Sequence, residues 1–221
     1  MSRSMTFAKR HQQHLFAVLL SLLLLSGCGP ATVVVEGRFP PPLIEPLPLK
    51  LGVWYGPDFA QHEFFDESTT RGQSSWIVKT GQAQILMWNS LLAGVFEEVV
   101  HLQSAPIPGQ SIPGVDGILV PHVSQLQYTI PKHTQVKVYE IWMLYRFELL
   151  TPDAQPVAEW DMSSYGKTPT AFLQSDQEAV NLAAVMALRD AGANFATTFT
   201  RIAPIQAWLQ AQNVPAPGSS P

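Results

Sequence analysis

The sequence predicts an α+β fold, a mostly antiparallel sheet with two long helices packed on one face, and three stretches carry that prediction. In Val138–Leu150 the side chains of Tyr139, Ile141, Met143, Tyr145, Phe147 and Leu149 share one side of a strand, while Glu140, Arg146 and Glu148 share the other with Trp142 and Leu144. Across residues 82–102 the apolar positions Ile85, Trp88, Leu92, Val95 and Val99 recur at three- and four-residue steps, which is one face of a helix. Ser175, Asp176, Gln177 and Glu178 have the form of a capping box. The helix they open carries Ala179, Ala183, Ala187, Ala191 and Phe195 at four-residue steps, a stripe small enough to lie close on a sheet.

The remaining elements follow in order. Residues 49–55 (LKLGVWY) alternate enough for a first strand, and residues 56–75 then read as a long loop rich in aromatics. After the helix of residues 82–102, a proline- and glycine-rich stretch, SAPIPGQSIPGVDG, forms a loop. Gly117–Thr129 is a strand interrupted by Pro121, which predicts an edge or a bulge there. TPDAQP turns the Val138–Leu150 strand back into a hairpin partner at residues 157–165. IAPIQAWLQAQ closes the domain with a short helix whose Trp208 can cover an open end of the core. No period of repeat length recurs, which excludes a solenoid.

The chain has one cysteine, Cys28, so neither an internal disulfide nor a multi-cysteine zinc site is available. Ahead of it stand Arg3, Lys9 and Arg10 with no acid, then an apolar run over residues 15–25 broken only by Ser21. That is a charged n-region and an h-region, shorter than a membrane span of roughly 20 residues. The run ends Leu25, Ser26, Gly27, Cys28, and with this the chain resembles a bacterial lipoprotein precursor. The resemblance implies that the Cys28 sulfur takes a diacylglycerol, that the peptide bond before it is cut, and that the new amino terminus is acylated. Acyl burial contributes about 0.8 kcal/mol per CH₂, so several chains anchor a protein firmly. Gly29 follows in place of the aspartate associated in enterobacteria with inner-membrane retention, which points to the periplasmic side of the outer membrane, with the inner membrane as the alternative.

The expected organisation is a signal peptide over residues 1–27, an acylated anchor and proline-rich spacer over 28–48, one α+β domain over 49–212 and a disordered tail over 213–221. Five prolines between Pro40 and Pro48 favour an extended polyproline II spacer. Removing residues 1–27 takes three basic residues and no acidic one, leaving 10 basic against 17 acidic side chains, a net charge of about −7. So acidic a chain lacks the electrostatic footprint of a nucleic-acid binder. The lipobox, the spacer, the order of elements and the long hairpin loosely resemble small envelope-biogenesis lipoproteins, such as the LPS-assembly lipoprotein and the auxiliary lipoproteins of envelope ABC transporters.

Candidate chemistry is sparse. Gly166, Lys167 and Thr168 spell the end of a phosphate-binding loop, but a glycine is needed five residues before Gly166, where Asp161 stands, so they read as the loop leaving the hairpin. Asp58, His62, Glu63, Asp66 and Glu67 crowd one stretch, yet a metal site needs ligands on rigid elements and this stretch reads as a solvated loop. His122 has no acid near it in sequence and reads as structural. No serine occupies a nucleophile elbow. The expectation is therefore no catalytic residue, no metal and no cofactor. Trp54, Tyr55, Phe59, Phe64, Phe65 and Trp76 crowd around the first loop, and contiguous exposed aromatics mark a partner or lipid site. These six are the expected contact residues. The function that follows is a non-catalytic lipoprotein, anchored through Cys28, that binds another envelope protein and assists transport or assembly. The alternative is a lipid- or glycan-binding module that uses the aromatic loop.

Overall fold

The structure is a computed structural model that describes residues 31–66, 76–129, 138–169 and 175–214. Cys28, the signal segment before it, Glu67 and most of the predicted tail lie outside the described residues.

The fold is α+β, with two sheets instead of one. The first strands are β1 (Ala31–Val34) and β2 (Leu47–Val53). The stretch read as a loop contains a one-turn helix α1 (Pro57–Ala60) and strand β3 (Glu63–Asp66), and strand β4 (Trp76–Lys79) follows it. Helix α2 (Gly81–Val95) leads into β5 (Phe96–His101), and β6 (Gly117–Thr129), β7 (Val138–Leu150) and β8 (Pro156–Pro169) follow. Helix α3 (Asp176–Thr198), a 3₁₀ turn (Phe199–Arg201) and helix α4 (Ala203–Ala211) complete the chain. The large sheet has the order β5-β2-β6-β7-β8 and the small one β1-β4-β3.

Three expectations are corrected. The large sheet is mixed, not mostly antiparallel: β5, β2 and β6 run parallel, and only β6, β7 and β8 form the antiparallel part. The long connection from β2 to β5, which includes α2, permits this, because parallel neighbours need a crossover in place of a tight hairpin. The helix predicted over residues 82–102 stops at Val95, and the chain passes directly into β5. Phe96 begins that strand opposite Leu47, and Val99 and Val100 suit a pleated surface. Finally, residues 31–36 of the segment read as a proline-rich spacer are part of the body. Ala31–Val34 pairs with Trp76–Lys79, Val35 is buried, and the Glu36 amide donates to Asn181 Oδ1 at 2.8 Å. At the other end, Val214 still packs against the core.

The elements that match do so for readable reasons. The inward row of β7 is buried along its whole length, as its alternation requires. The capping box is complete: the Glu178 amide donates to Ser175 Oγ at 3.2 Å and the Ser175 amide donates to Glu178 Oε2 at 3.1 Å. The alanine stripe of α3 is fully buried, and a Cβ on Gly166 of β8 would collide with the Ala183 carbonyl oxygen and the Ala187 amide. Helix and strand therefore touch backbone to backbone. Trp208 of α4 lies over Gly117, closing the start of β6. Pro121 sits in β6 beyond Leu119, where pairing with β2 has ended, so its missing N–H interrupts no ladder on that side. A bulge follows between Val123 and Gln125.

Candidate functional site

The six aromatics expected to form one contact surface do not stay together. Phe59 is 2% exposed and Trp76 5%, both in the core, and Trp54, Tyr55 and Phe64 are half-buried. Tyr55 stacks on Phe59 with ring centroids 5.4 Å apart and donates its hydroxyl to Asn89 Oδ1 at 2.9 Å. Burial holds its phenol well above the ordinary tyrosine range. Phe64 meets Tyr128 edge-on at 5.5 Å. Phe65, its neighbour on the opposite side of β3, is 46% exposed and is the one of the six that faces solvent strongly.

The polar group of the same region is also reorganised. His62 Nδ1 lies 2.7 Å from Thr80 Oγ1, which in turn accepts from Gln84 Nε2 at 2.9 Å. The imidazole pKa is lowered, because burial disfavours its charge more than Glu63 favours it. A hydroxyl against an imidazole is the geometry of an activated nucleophile, but Thr80 and Gln84 are wholly buried. The cluster instead fastens the start of α2 to β3, where Thr80 and Gly81 both donate to the His62 carbonyl at 3.0 Å. Among the described residues no three or more His, Cys, Asp and Glu side chains gather to hold a metal.

Gly166, Lys167 and Thr168 are strand, not the loop that the sequence suggested. Lys167 Nζ points to Glu140 at 3.6 Å and Thr168 is buried. His122 does have an acid partner, supplied across the sheet: its Nε2 lies 3.5 Å from Glu148 Oε1.

What the sequence reading missed is the outward face of β6, β7 and β8. The helices cover the other side of these strands; on this side Ile118, Val120 and Leu150 are buried at one end in a second cluster with Val115 and Ala154, and the part around Trp142 stays open. At its centre Trp142, 48% exposed, lies directly across from Tyr165, with ring centroids 4.3 Å apart. The Tyr165 hydroxyl donates to Glu140 Oε1 at 2.7 Å. Burial and then the Glu140 carboxylate push that phenol up to about 12, so it remains a donor. Beside the pair lies a shallow depression of about 400 Å³, lined by Gln125, Gln127, Trp142, Met143, Leu144 and Ser163. Further along, Arg146 grips Asp161 with two hydrogen bonds, of 2.9 and 3.3 Å, and approaches Glu159 at 3.4 Å. The guanidinium holds the Asp161 carboxyl below the usual carboxylate range. The face thus offers a tilted aromatic pair, two amides and charges already paired with one another. Such groups recognise a surface or a ring. The available signal was Trp142 itself, a large aromatic on the side of an alternating strand that carries Glu140, Arg146 and Glu148.

No helix among the described residues is long and apolar enough to cross a membrane. No family model matches the sequence, and no curated protein matches it. Solved structures do match. A protein from Xanthomonas campestris, XCC0632 of the DUF330 family, aligns with a TM-score of 0.51 at 13% identity, over 82% of this chain and 99% of its own. A protein from Helicobacter pylori described as a homolog of a neuraminyllactose-binding hemagglutinin aligns at 0.46 with 13% identity, over 81% of this chain and 99% of that one. A minor lipoprotein from Acinetobacter baumannii aligns at 0.38 with 9% identity, covering 80% of this chain and all of that one. At such identities the likeness is one of fold, and the fold that this chain shares is that of the Xanthomonas protein.

Proposed function

We propose that this chain is a non-catalytic, lipid-anchored lipoprotein of the bacterial envelope, an accessory factor that engages another envelope protein through the open face of β6–β8. The anchor is Cys28, and Gly29 after it favours delivery to the outer membrane. The observation that carries the reading is the Trp142–Tyr165 pair, its rings tilted by 41° with centroids 4.3 Å apart and Trp142 half-exposed, on a sheet whose other face is filled by helices. Aromatic anchors of this kind dominate protein interfaces, and losing one costs about 2 kcal/mol or more, roughly a thirtyfold loss of affinity.

A photo-crosslinking amino acid at position 142 tests this in intact cells, with the same group at Ile107 as the control. The expected result is a discrete adduct with a membrane protein from position 142 alone, lost when Tyr165→Ala is added while thermal melting is unchanged. Identical adducts from both positions, or none from either, overturn the reading. The second reading, a lipid- or glycan-binding module, draws on the depression beside Trp142, where Gln125, Gln127 and Ser163 supply polar groups next to an aromatic ring. Native mass spectrometry of the detergent-extracted protein separates the two: a co-purified small molecule lost in Trp142→Ala favours the second.

A further inference from the structure

We propose that the outer face of the three-stranded sheet, centred on Phe65 and Ile77, rests on the lipid bilayer that carries the Cys28 acyl chains. This rests on the lipidated reading of Cys28 given above. Only Gly29 and Pro30 separate that cysteine from Ala31, the first residue of β1. Three residue steps span about 10 Å even when fully extended. No slack follows, because Ala31 is already paired with Trp76 and the next turn of chain is pinned by the hydrogen bonds from the Val35 amide to the Lys79 carbonyl and from the Glu36 amide to Asn181. A body tied so closely cannot stand away from the membrane, and the end of the small sheet that holds Ala31 must lie against it.

The composition of that sheet agrees. Its inward side chains, Val33, Val78 and Trp76, belong to the core. Outward, Thr32, Ile77 and Phe65 form one row across the three strands, next to the anchor. The following row, farther from the anchor, holds Val34, Lys79 and Glu63, with Lys79 and Glu63 paired at 3.3 Å. The face therefore passes from apolar to ion-paired with distance from Cys28, the order that a surface meeting a bilayer edge requires. An aromatic ring at the headgroup level is favourable there. With a mature charge near −7 the protein gains nothing from anionic lipid, so contact depends on these apolar side chains. The tether holds them at high local concentration, and a weak contact is then sufficient.

The acylated cysteine has no free thiol, so Phe65→Cys, Val34→Cys and Ile107→Cys each introduce a unique site for a nitroxide label. Ile107 is 57% exposed on the loop at the far end of the large sheet, while Phe64 packs at the other end, against Tyr128. The full-length processed protein is reconstituted in vesicles of phosphatidylethanolamine and phosphatidylglycerol, and label accessibility to oxygen and to a water-soluble nickel chelate is measured. The label at 65 is expected to favour oxygen several-fold over nickel, the label at 34, one row farther from the anchor, to do so less strongly, and the label at 107 the reverse. Acylated protein that floats with the vesicles while label 65 is as open to nickel as label 107 overturns the docking and leaves lipidation standing. A label at 65 shielded from both reagents, or broadened by a second label, shows a protein contact instead and also overturns it. Absence of acyl mass on Cys28 removes both readings together.

Discussion

Trp88 and Trp142 lie on opposite sides of the same strand, and their surroundings show how this fold divides its labour. Trp88 projects from α2 onto the inner face of β7, where Tyr145, Phe147 and Phe195 surround it at centroid distances of 5.6, 5.1 and 5.3 Å. It is wholly buried, and its indole is surrounded by rings from a strand and a second helix. Trp142 on the outer face has one ring partner, Tyr165, and roughly half of it meets water. The inner tryptophan is committed to stability through many contacts that change together. The outer one has fewer ring contacts and more exposed surface.

Three substitutions sharpen or break this contrast. Phe147→Ala removes a ring that touches Trp88, Tyr145, Trp160 and Phe195, and should cost about 3–5 kcal/mol, a large share of the 5–15 kcal/mol that holds a typical domain together. Urea titration measures it, and a loss under about 1 kcal/mol would mean the inner face is not the cohesive one. Gly166→Ala adds one methyl where the Ala183 carbonyl and Ala187 amide already sit. Backbone cannot yield as a flexible side chain does, so the expected loss is about 1–3 kcal/mol, seen as a lower melting temperature. A neutral result would show that α3 does not ride on β8 as closely as described. Glu148→Ala, one residue from Phe147 but facing out, removes a half-exposed pairing with His122 and should change stability by about 0.5 kcal/mol or less in the same titration. Equal effects from Phe147→Ala and Glu148→Ala would abolish the distinction between the two faces.

Much of the core was readable because its signals are local. The period-2 alternation of β7, the capping box at Ser175 and the alanine stripe of α3 each need only neighbouring residues to take effect. The candidate site was less readable. Phe59 and Trp76 look like exposed loop aromatics in sequence, but a short helix and a strand, neither with enough length to show a period, turn them inward. Phe65 is distinguished from Phe64 only once β3 is known to be a strand with one face on Tyr128. Trp142 carried a signal that alternation alone could rank, since it is a large aromatic on the face that carries Glu140, Arg146 and Glu148.

By itself the sequence determined the α+β class, the β7–β8 hairpin and its buried face and the start of α3, all of them matters of spacing along a short stretch of chain. Tertiary structure decided where α2 ends, that β2 lies parallel between β5 and β6, and that residues 31–34 join the body. Each of those depends on hydrogen bonds between segments tens of residues apart: Ala31 with Trp76, Leu47 with Phe96, Leu51 with Gly117. Residues 96–101 have side chains that serve a helix or a strand about equally well, and the unpaired edge of β2 is what selects the strand. A local pattern holds no record of which distant edge is waiting to be paired, so those choices are made only when the chain closes on itself.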